Sequence, residues 1–361
     1  MIYLDYQATT PLAPEAREAM LAWLGGPESE SFGNPHSPHR MGRMAAAAVE
    51  VAREQVASLF PSGGQVIFTG SATEALNLAI RGNAAVRSGE HIAFSAIEHA
   101  AVIDTVKAIG NWTELPVNAD GLVTPDVAMP QYVGLMCVMA VNNEIGTIQP
   151  IGELASRAKE TGALLLVDGV QAAGRMALPP EADMIAVSAH KIHGPKGIGA
   201  LWVRDGLKLI PNIEGGKQEA GLRSGTLSPA LCAGFGAAAA LAVERMDQDR
   251  VHIEELWQVA REAFSGWTLN GSAEQRWHGN LNIRRDGLDV ARLMSDCREV
   301  MFSAGSACAS GSGRTSHVLR AIGLDDAEAK SSIRLGWGRY TTREDMQRAC
   351  SIILEAADSQ G

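Results

Sequence analysis

Short apolar runs alternate with helix-like segments from about residue 65 to residue 205, and this alternation limits the possible folds more than any other feature of the chain. The strand-like runs are residues 66–68, 91–94, 134–139, 163–167 and 184–187. Continuous apolar strands separated by helices are typical of a mostly parallel sheet whose two faces are both covered. The pattern therefore predicts an α/β fold, with a helix from Glu74 to Arg81 after the first of these strands.

Polar clusters follow these predicted strands closely. The clusters are residues 69–73, 98–99, 142–144, 168–171 and 188–191. In open α/β sheets, ligands bind at the carboxyl ends of the strands, where such residues meet at one edge. We therefore expect the functional site to be built from these clusters.

The pattern changes after about residue 250, where helices and isolated strands such as residues 280–283 replace the regular alternation. A chain of 361 residues is long enough for two domains. We therefore expect a second, smaller domain in the C-terminal part.

Composition and charge exclude several classes of protein. The five cysteines are odd in number and contain no CxxC pair, which argues against a disulfide framework or a zinc site and fits a reducing compartment. The N-terminus lacks the pattern of a signal peptide, and the longest apolar stretch, near residues 231–243, is too short to span a bilayer. With a net charge of -10 and no long basic run, nucleic acid and anionic membranes are poor partners. We expect a cytoplasmic protein without a bound metal.

Lys191 lies between a hydroxyl, an imidazole and a glycine-rich turn, in the segment from Ser188 to Gly197. A lysine can form an imine with a cofactor aldehyde if its site lowers its pKa. Asp168 closes an apolar strand, where a buried carboxylate is costly unless it meets a cation such as a protonated pyridine nitrogen. Gln171 is then placed to reach an oxygen substituent on that pyridine ring. Taken alone, Asp168 could equally be a helix N-cap or part of a salt bridge.

The segment from Gly70 to Glu74 places small and hydroxyl residues at the turn from a strand into a helix. Amide groups at a helix N-terminus bind phosphate well, and this is the functional interpretation of the turn. Serine and threonine are also favoured there as simple N-caps, which is the alternative.

Three further residues have one chemical and one structural interpretation each. His99 could stack on a planar ring and transfer protons, or it could be a packed structural histidine. Cys308 lies among glycines and serines, as expected of a reactive thiol in a flexible, exposed loop, but it could be an incidental thiol. Arg334 could bind a substrate carboxylate, or it could form a surface salt bridge.

The chain resembles the NifS/IscS-type cysteine desulfurases, which belong to the class V aminotransferase group of fold-type I pyridoxal phosphate enzymes. The resemblance extends over nearly the whole chain and keeps the order of the motifs. The segments that carry it are residues 4–11, 32–37, 98–99, 141–146, 190–199, 223–226 and 305–308, together with Arg334, Gly338 and Arg339.

This resemblance implies a fold and an assembly. A large domain, residues 15–249, would contain a mostly parallel seven-stranded sheet flanked by helices. A smaller α+β domain, residues 1–14 and 250–361, would carry a mobile loop of about residues 303–314 with the catalytic cysteine. The family further implies a homodimer.

The resemblance also implies pyridoxal 5'-phosphate as the cofactor, bound covalently by Lys191. Asp168 would pair with the pyridine nitrogen, while His99 would stack on the ring and take part in proton transfer. Gln171 and Asn143 would contact the oxygen substituent of the ring. The phosphate would be bound by Ala72, Thr73, Ser188 and His190 of the same chain and by Thr226 of the partner subunit.

For the reaction, the resemblance implies that L-cysteine is converted to L-alanine while Cys308 acquires a persulfide. Arg334 would hold the substrate carboxylate, with Asn34 nearby. The sulfur would pass to an acceptor or scaffold protein for the assembly of iron-sulfur clusters or thio-cofactors.

The sequence departs from the family pattern in two places. The phosphate turn reads Gly70-Ser71, where the family commonly has serine before glycine, so that the backbone cup is expected to survive but the role of Ser71 is open. The chain also ends earlier than its longer relatives, and we expect it to lack the C-terminal segment that docks a scaffold. The alternatives in function are a selenocysteine lyase or another class V lyase or aminotransferase, and a non-catalytic dimeric binding subunit.

Overall fold

The structure, a computed structural model, describes residues 1–305 and 315–360. Its α-helices are α1 (Pro14–Leu21), α2 (Arg40–Ala57), α3 (Ala72–Val86), α4 (Ala100–Ile109), α5 (Ile151–Thr161), α6 (Pro229–Ala263), α7 (Val290–Asp296), α8 (His317–Ala321), α9 (Asp326–Lys330) and α10 (Arg343–Asp358). Its β-strands are β1 (Ile2–Tyr3), β2 (Gly64–Thr69), β3 (His91–Ser95), β4 (Trp112–Leu115), β5 (Val133–Met139), β6 (Leu164–Asp168), β7 (Met184–Ser188), β8 (Gly199–Arg204), β9 (Thr268–Leu269), β10 (Asn280–Arg284), β11 (Val300–Met301), β12 (Ser303–Ala304) and β13 (Ser332–Gly336).

The main sheet has seven strands in the order β2-β8-β7-β6-β5-β3-β4. Strands β4, β3, β5, β6 and β7 pair in parallel, whereas β8 is antiparallel to both of its neighbours. The connection from β7 to β8, residues 189–198, is too short for the helical crossover that a parallel strand needs. The prediction of a mostly parallel seven-stranded α/β sheet is confirmed.

Helices cover both faces of this sheet, as the continuous apolar strands require. In β2, Ile67 belongs to a buried cluster with Leu76 of α3 and Val102 of α4. The next residue, Phe68, belongs to the buried cluster on the other face, together with Phe235 of α6. Successive side chains of a strand point to opposite faces, so a strand buried on both sides has no polar alternation.

Helix α3 is longer than the predicted helix from Glu74 to Arg81. It begins at Ala72, because the Ser71 hydroxyl accepts a hydrogen bond from the Glu74 amide at 3.2 Å and caps the first turn. This cap fixes the start of the helix directly after the end of β2.

The N-terminus lies beside C-terminal elements, since β1 pairs in parallel with β11. Strands β12, β13, β10 and β9 form a second sheet that is antiparallel throughout. Helix α6 runs without interruption through residues 249 and 250, where the sequence predicts a domain boundary. The division into residues 15–249 and the remainder stays a prediction. The described part of the chain contains no helix long and apolar enough to cross a membrane.

One buried ion pair ties the segment before α6 to the start of the main sheet. Glu219 accepts two hydrogen bonds from Arg53 of α2, at 2.6 and 2.7 Å, and one from the Phe68 amide at 2.6 Å. The side chain of Glu219 is only 2% exposed, whereas that of Arg53 is 22% exposed. Glu219 and the next residue, Ala220, both have positive φ, so the carboxylate stabilises a strained turn.

Replacing Glu219 with alanine should lower the free energy of unfolding by about 2–4 kcal/mol, because it removes two hydrogen bonds from the Arg53 guanidinium and leaves the buried Phe68 amide without its acceptor. Urea denaturation measures the change. The control is Glu299→Ala, which removes an exposed ion pair with Arg348. The side chains of Arg348 and Glu299 are 66% and 60% exposed, so this variant should change the free energy of unfolding by less than about 1 kcal/mol. Equal effects for the two variants would contradict the structural role of Glu219.

Candidate active site

A cavity of about 290 Å³ opens at the carboxyl ends of the parallel strands. Asp168 is the last residue of β6, and Ser188 is the last residue of β7. The cavity is lined by Gln7, Ala8, Ser71, Ala72, Thr73, Leu76, His99, Met139, Val141, Asn143, Asp168, Val170, Gln171, Ser188, His190, Lys191 and Arg334. The edge of the sheet thus brings together side chains that lie far apart in the sequence.

Lys191 ends the short 3-10 turn that follows β7, and this turn directs its amine into the cavity. The Nζ atom donates hydrogen bonds to the backbone oxygens of Gln7 and Ala8, the latter at 2.8 Å. Burial lowers the pKa of the Lys191 ammonium to about 8, and the positive charges of Arg175 and Arg334 add to this effect. A substantial fraction of the amine is therefore neutral, and hence nucleophilic, at mildly alkaline pH.

Asp168 is a buried carboxylate that lacks a strong counter-charge. Its side chain accepts a hydrogen bond from the Val170 amide at 3.0 Å, and the residue is 6% exposed. Within residues 1–305 and 315–360, no lysine, arginine or histidine forms an ion pair with it. Burial raises the pKa of Asp168, while the Val170 amide, His99 and Lys191 oppose that rise. A cationic group bound in the cavity would compensate the cost of burying this carboxylate.

His99 is the N-cap of α4, and its Nδ1 atom accepts a hydrogen bond from the Ala101 amide at 3.1 Å. Because Nδ1 is the acceptor, we assign the proton of the neutral ring to Nε2. The preceding residue, Glu98, is fully buried and accepts a hydrogen bond from the Met139 amide at 2.7 Å. Burial, together with the nearby Asp168, raises the pKa of Glu98 well above its usual value, and this favours the neutral carboxyl form.

The cavity has a cup of backbone donors at the start of α3. The amides of Ala72 and Thr73 have no acceptor among the described residues. Gly199 of β8 lies directly behind this turn, where a Cβ atom would come within 2.6 Å of the Ser71 carbonyl carbon. Only a glycine lets the strand approach the turn so closely.

His190 lines the same cavity as this cup. Its Nδ1 atom is 3.1 Å from the hydroxyl of Thr9. Burial lowers the pKa of His190 to about 4, and the charges of Lys191 and Lys196 contribute, so the ring is neutral at physiological pH. A neutral imidazole next to the cup can donate a hydrogen bond to an anion without adding a charge.

Arg334 is buried in the central part of the second sheet, with 2% exposure, and lines the cavity. Its Nη2 atom donates to a carboxylate oxygen of Asp5 at 2.7 Å, and its Nη1 atom donates to the Asn143 carbonyl at 3.0 Å. The alternative interpretation of Arg334 as part of a surface salt bridge is therefore wrong, because its ion pair with Asp5 lies inside the protein. These two contacts hold the guanidinium in place and leave further N–H groups for a ligand.

Two predicted residues are not among those that line the cavity, and a third falls outside the described part of the chain. Asn34 is exposed and uses its side-chain oxygen to accept a hydrogen bond from the His36 amide at 2.9 Å. Thr226 is also exposed, and the family resemblance implies a role for it in the site of a partner subunit. Cys308 lies outside the described residues. The roles of all three stay predictions.

Sequence reasoning did not name Gln7 and Ala8, although the segment of residues 4–11 contributed to the family resemblance. Their backbone oxygens, rather than their side chains, face Lys191, and backbone contacts leave no residue-type signal. Gln7 also accepts a hydrogen bond from Gln171 at 3.0 Å, while the other end of the Gln171 amide accepts one from Arg175 at 2.5 Å. Gln171 lines the cavity, but both ends of its amide already have protein partners.

The described residues contain no cluster of three or more His, Cys, Asp or Glu side chains that could hold a metal ion. The described cysteines, namely Cys137, Cys232, Cys297 and Cys350, are free and buried. Burial raises the pKa of Cys137 well above its usual value and that of Cys232 to about 12, so these thiols are poor nucleophiles.

Comparison with known proteins gives consistent matches over almost the full length. The family model described as "Aminotransferase class-V" matches residues 2–349. A cysteine desulfurase IscS of Rickettsia bellii is 39% identical over 372 residues, which cover 98% of this chain and 90% of that protein. A solved structure described as a NifS-like protein has a TM-score of 0.90 at 30% identity and covers 99% of both chains. A structure described as SspA in complex with cysteine has a TM-score of 0.82 at 34% identity, covering 95% of this chain and 100% of that one.

Lys191 in the cofactor-free protein should react with an amine-selective acylating reagent with a midpoint near pH 8, because burial favours the neutral amine. Replacing Arg175 with methionine removes a neighbouring positive charge and should shift the midpoint to higher pH. Peptide mass spectrometry after brief labelling at a series of pH values measures both effects, with the exposed Lys217 as an internal reference. A midpoint near the usual value for lysine, about 10.4, would contradict the environment described for Lys191.

Proposed function

This chain belongs to the class-V aminotransferase family and, within it, to the cysteine desulfurases, and on that premise we propose that it converts L-cysteine to L-alanine and retains the sulfur as a persulfide on Cys308. The observation that carries the proposal is the convergence of Lys191, Asp168 and Arg334 on one cavity. These three groups provide an activated amine, a buried anion and a carboxylate-binding cation, as an amino acid substrate and an aldehyde cofactor require.

Members of this family generally depend on pyridoxal 5'-phosphate, and we propose the same cofactor here. Three features of the cavity support this proposal. Asp168 lacks a cationic partner among the described residues, which suits a protonated pyridine nitrogen. The amides of Ala72 and Thr73 are free to bind a phosphate. The amine of Lys191 has a lowered pKa, which suits covalent attachment to the aldehyde. When bound, this cofactor supplies an electron-withdrawing ring that stabilises the charge left at Cα after proton removal.

The protein's own residues bind and orient the substrate and move its protons. Arg334 would hold the substrate carboxylate, since its guanidinium is already fixed by Asp5 and Asn143. Lys191 can accept a proton at neutral to mildly alkaline pH, because its pKa is about 8. His99 can pass a proton through Nε2, because Nδ1 is used by the helix cap. Asp168 would keep the ring nitrogen protonated.

The sulfur transfer requires a thiolate, and we assign this step to Cys308. Its sulfur would attack the sulfur of the substrate, so that a new S–S bond forms while the bond from that sulfur to Cβ breaks. The electron pair of the broken bond stays with the carbon skeleton, which takes up a proton and leaves as alanine. The buried thiols described above are unsuited to this task.

The assembly and the destination of the sulfur extend this proposal. We propose a homodimer, because Thr226 and the adjacent Gly225 are exposed in a single chain and could reach a second subunit. The persulfide would pass its sulfur to an acceptor or scaffold protein, for iron-sulfur cluster or thio-cofactor assembly. The cytoplasmic location stays a prediction, and the free thiols of the described cysteines are compatible with it.

Replacing Cys308 with alanine should abolish the release of sulfide from L-cysteine in the presence of a thiol, while the cofactor still binds and absorbs in its imine band. The physical reason is that the sulfur acceptor is lost but the cavity is unchanged. The matched control is Cys297→Ala, which removes a buried thiol and should leave turnover unchanged. Unchanged turnover in Cys308→Ala would exclude this cysteine as the nucleophile.

Replacing Asp168 with asparagine should lower the turnover number by roughly a hundredfold or more, because the neutral amide cannot keep the ring nitrogen protonated. The control is Asp183→Asn, since Asp183 precedes β7 and lies at the opposite end of the sheet. Steady-state production of alanine measures both variants. Similar turnover in the two would contradict the assignment of Asp168 to the ring nitrogen.

A further inference from the structure

A glutamate lies in the first turn of the helix that would bind the cofactor phosphate. Glu74 is the third residue of α3, and its Oε2 atom accepts a hydrogen bond from the Gly70 amide at 2.7 Å. Its carboxylate thus lies against the same turn that presents the free amides of Ala72 and Thr73. A negative charge stabilises a helix N-terminus, but here it also repels any phosphate that binds there.

The hydrogen bonds of this turn explain why the glutamate is present. The Ser71 hydroxyl caps the Glu74 amide at 3.2 Å, and the Glu74 carboxylate binds the Gly70 amide. The Ser71 and Glu74 side chains thus bind the amides of Glu74 and Gly70, which lie on either side of the cup. The amides of Ala72 and Thr73 remain available to a ligand. This is a variant of the reciprocal capping box, in which the glutamate bonds to the residue before the cap.

Arg223 compensates the charge of Glu74. Its Nε atom lies 2.7 Å from Oε1 of Glu74, and its Nη2 atom lies 3.4 Å from Oε2. The two side chains are 20% and 24% exposed, so the pair is only partly screened by water. Arg223 comes from the segment after the strained turn at Glu219, which is itself fixed to α2 by the pair with Arg53 and to β2 by the hydrogen bond from the Phe68 amide.

We propose that Arg223 is a positioning residue for the cofactor phosphate, and that it acts by holding and neutralising Glu74, so that this carboxylate can order the phosphate cup without repelling its ligand. This inference rests on the proposed function, because it assumes that the cup binds the phosphate of pyridoxal 5'-phosphate. It differs from a direct contact, in which Arg223 itself would bind the phosphate.

The two mechanisms predict different results for a double-mutant cycle. If Arg223 acts through Glu74, then Arg223→Gln should weaken the binding of pyridoxal 5'-phosphate to the cofactor-free protein roughly tenfold, because the carboxylate is left unpaired. The Glu74→Gln variant should bind pyridoxal 5'-phosphate no more weakly than the wild type, since the glutamine side-chain oxygen can still accept a hydrogen bond from the Gly70 amide. Combining the two substitutions should restore the affinity lost in Arg223→Gln.

Equilibrium titration of each cofactor-free variant, followed by absorbance, measures these affinities. Pyridoxal, which lacks the phosphate, is the second ligand, and its affinity should be the same for Arg223→Gln and the wild type. Raising the ionic strength should reduce the defect of Arg223→Gln, because salt screens the repulsion. The matched control is Arg204→Gln, which breaks an ion pair with Asp183 at the opposite end of the sheet and should bind both ligands normally.

Three results would overturn the inference. A double variant as weak as Arg223→Gln would show that the arginine does not act through Glu74. An equal loss of affinity for pyridoxal would show that the substitution disturbs the whole cavity. An unchanged affinity for pyridoxal 5'-phosphate in Arg223→Gln would show that the pair has no influence on the cup. By contrast, a wild-type protein that binds no pyridoxal 5'-phosphate at all would contradict the proposed function itself.

Discussion

The buried carboxylate of Asp168 is the constraint on which the pocket depends. It lies at the end of a central strand, where burial raises its pKa and the described residues offer it one backbone hydrogen bond. Arg334 is committed to Asp5, and Lys191 is bound to backbone oxygens. His99 and Lys191 oppose the rise in its pKa without forming an ion pair with it. A cationic group bound in the cavity, such as the protonated pyridine ring proposed above, would offset the cost of burying this carboxylate. Burial in the same cavity lowers the pKa of Lys191 and raises the share of its neutral, nucleophilic amine.

The second organising constraint is charge balance around the phosphate cup. The first amides of a helix have no acceptor within the helix, and side chains at the turn before α3 supply acceptors for some of them. Ser71 and Glu74 bind the amides on either side of the cup, and Arg223 pairs with the Glu74 carboxylate, which on our proposal removes its repulsion of a bound phosphate. The exchanged order of Gly70 and Ser71 fits this arrangement, since the serine occupies the N-cap and the glycine amide donates to Glu74.

Much of the fold could be predicted because burial on both faces leaves a direct sequence signal. The apolar runs of β3, β5, β6 and β7 lie close to where the sequence indicated them, and the polar clusters after them meet in the cavity. The direction of β8 could not be read in the same way, because an apolar strand looks alike in parallel and antiparallel pairing. The contacts of Gln7 and Ala8 with Lys191 are made by backbone atoms, and Asn34 and Thr226 do not line the cavity of a single chain.

On the proposed function, this cavity activates L-cysteine and the sulfur stays on the protein. The most direct measurement is a single turnover of the cofactor-loaded protein with L-cysteine and no added thiol, followed by intact-mass analysis and by quantification of alanine. We expect one added sulfur atom per active chain, located on Cys308 by peptide mapping, and an equal amount of alanine. Alanine without protein-bound sulfur, or sulfur carried by another cysteine, would contradict it.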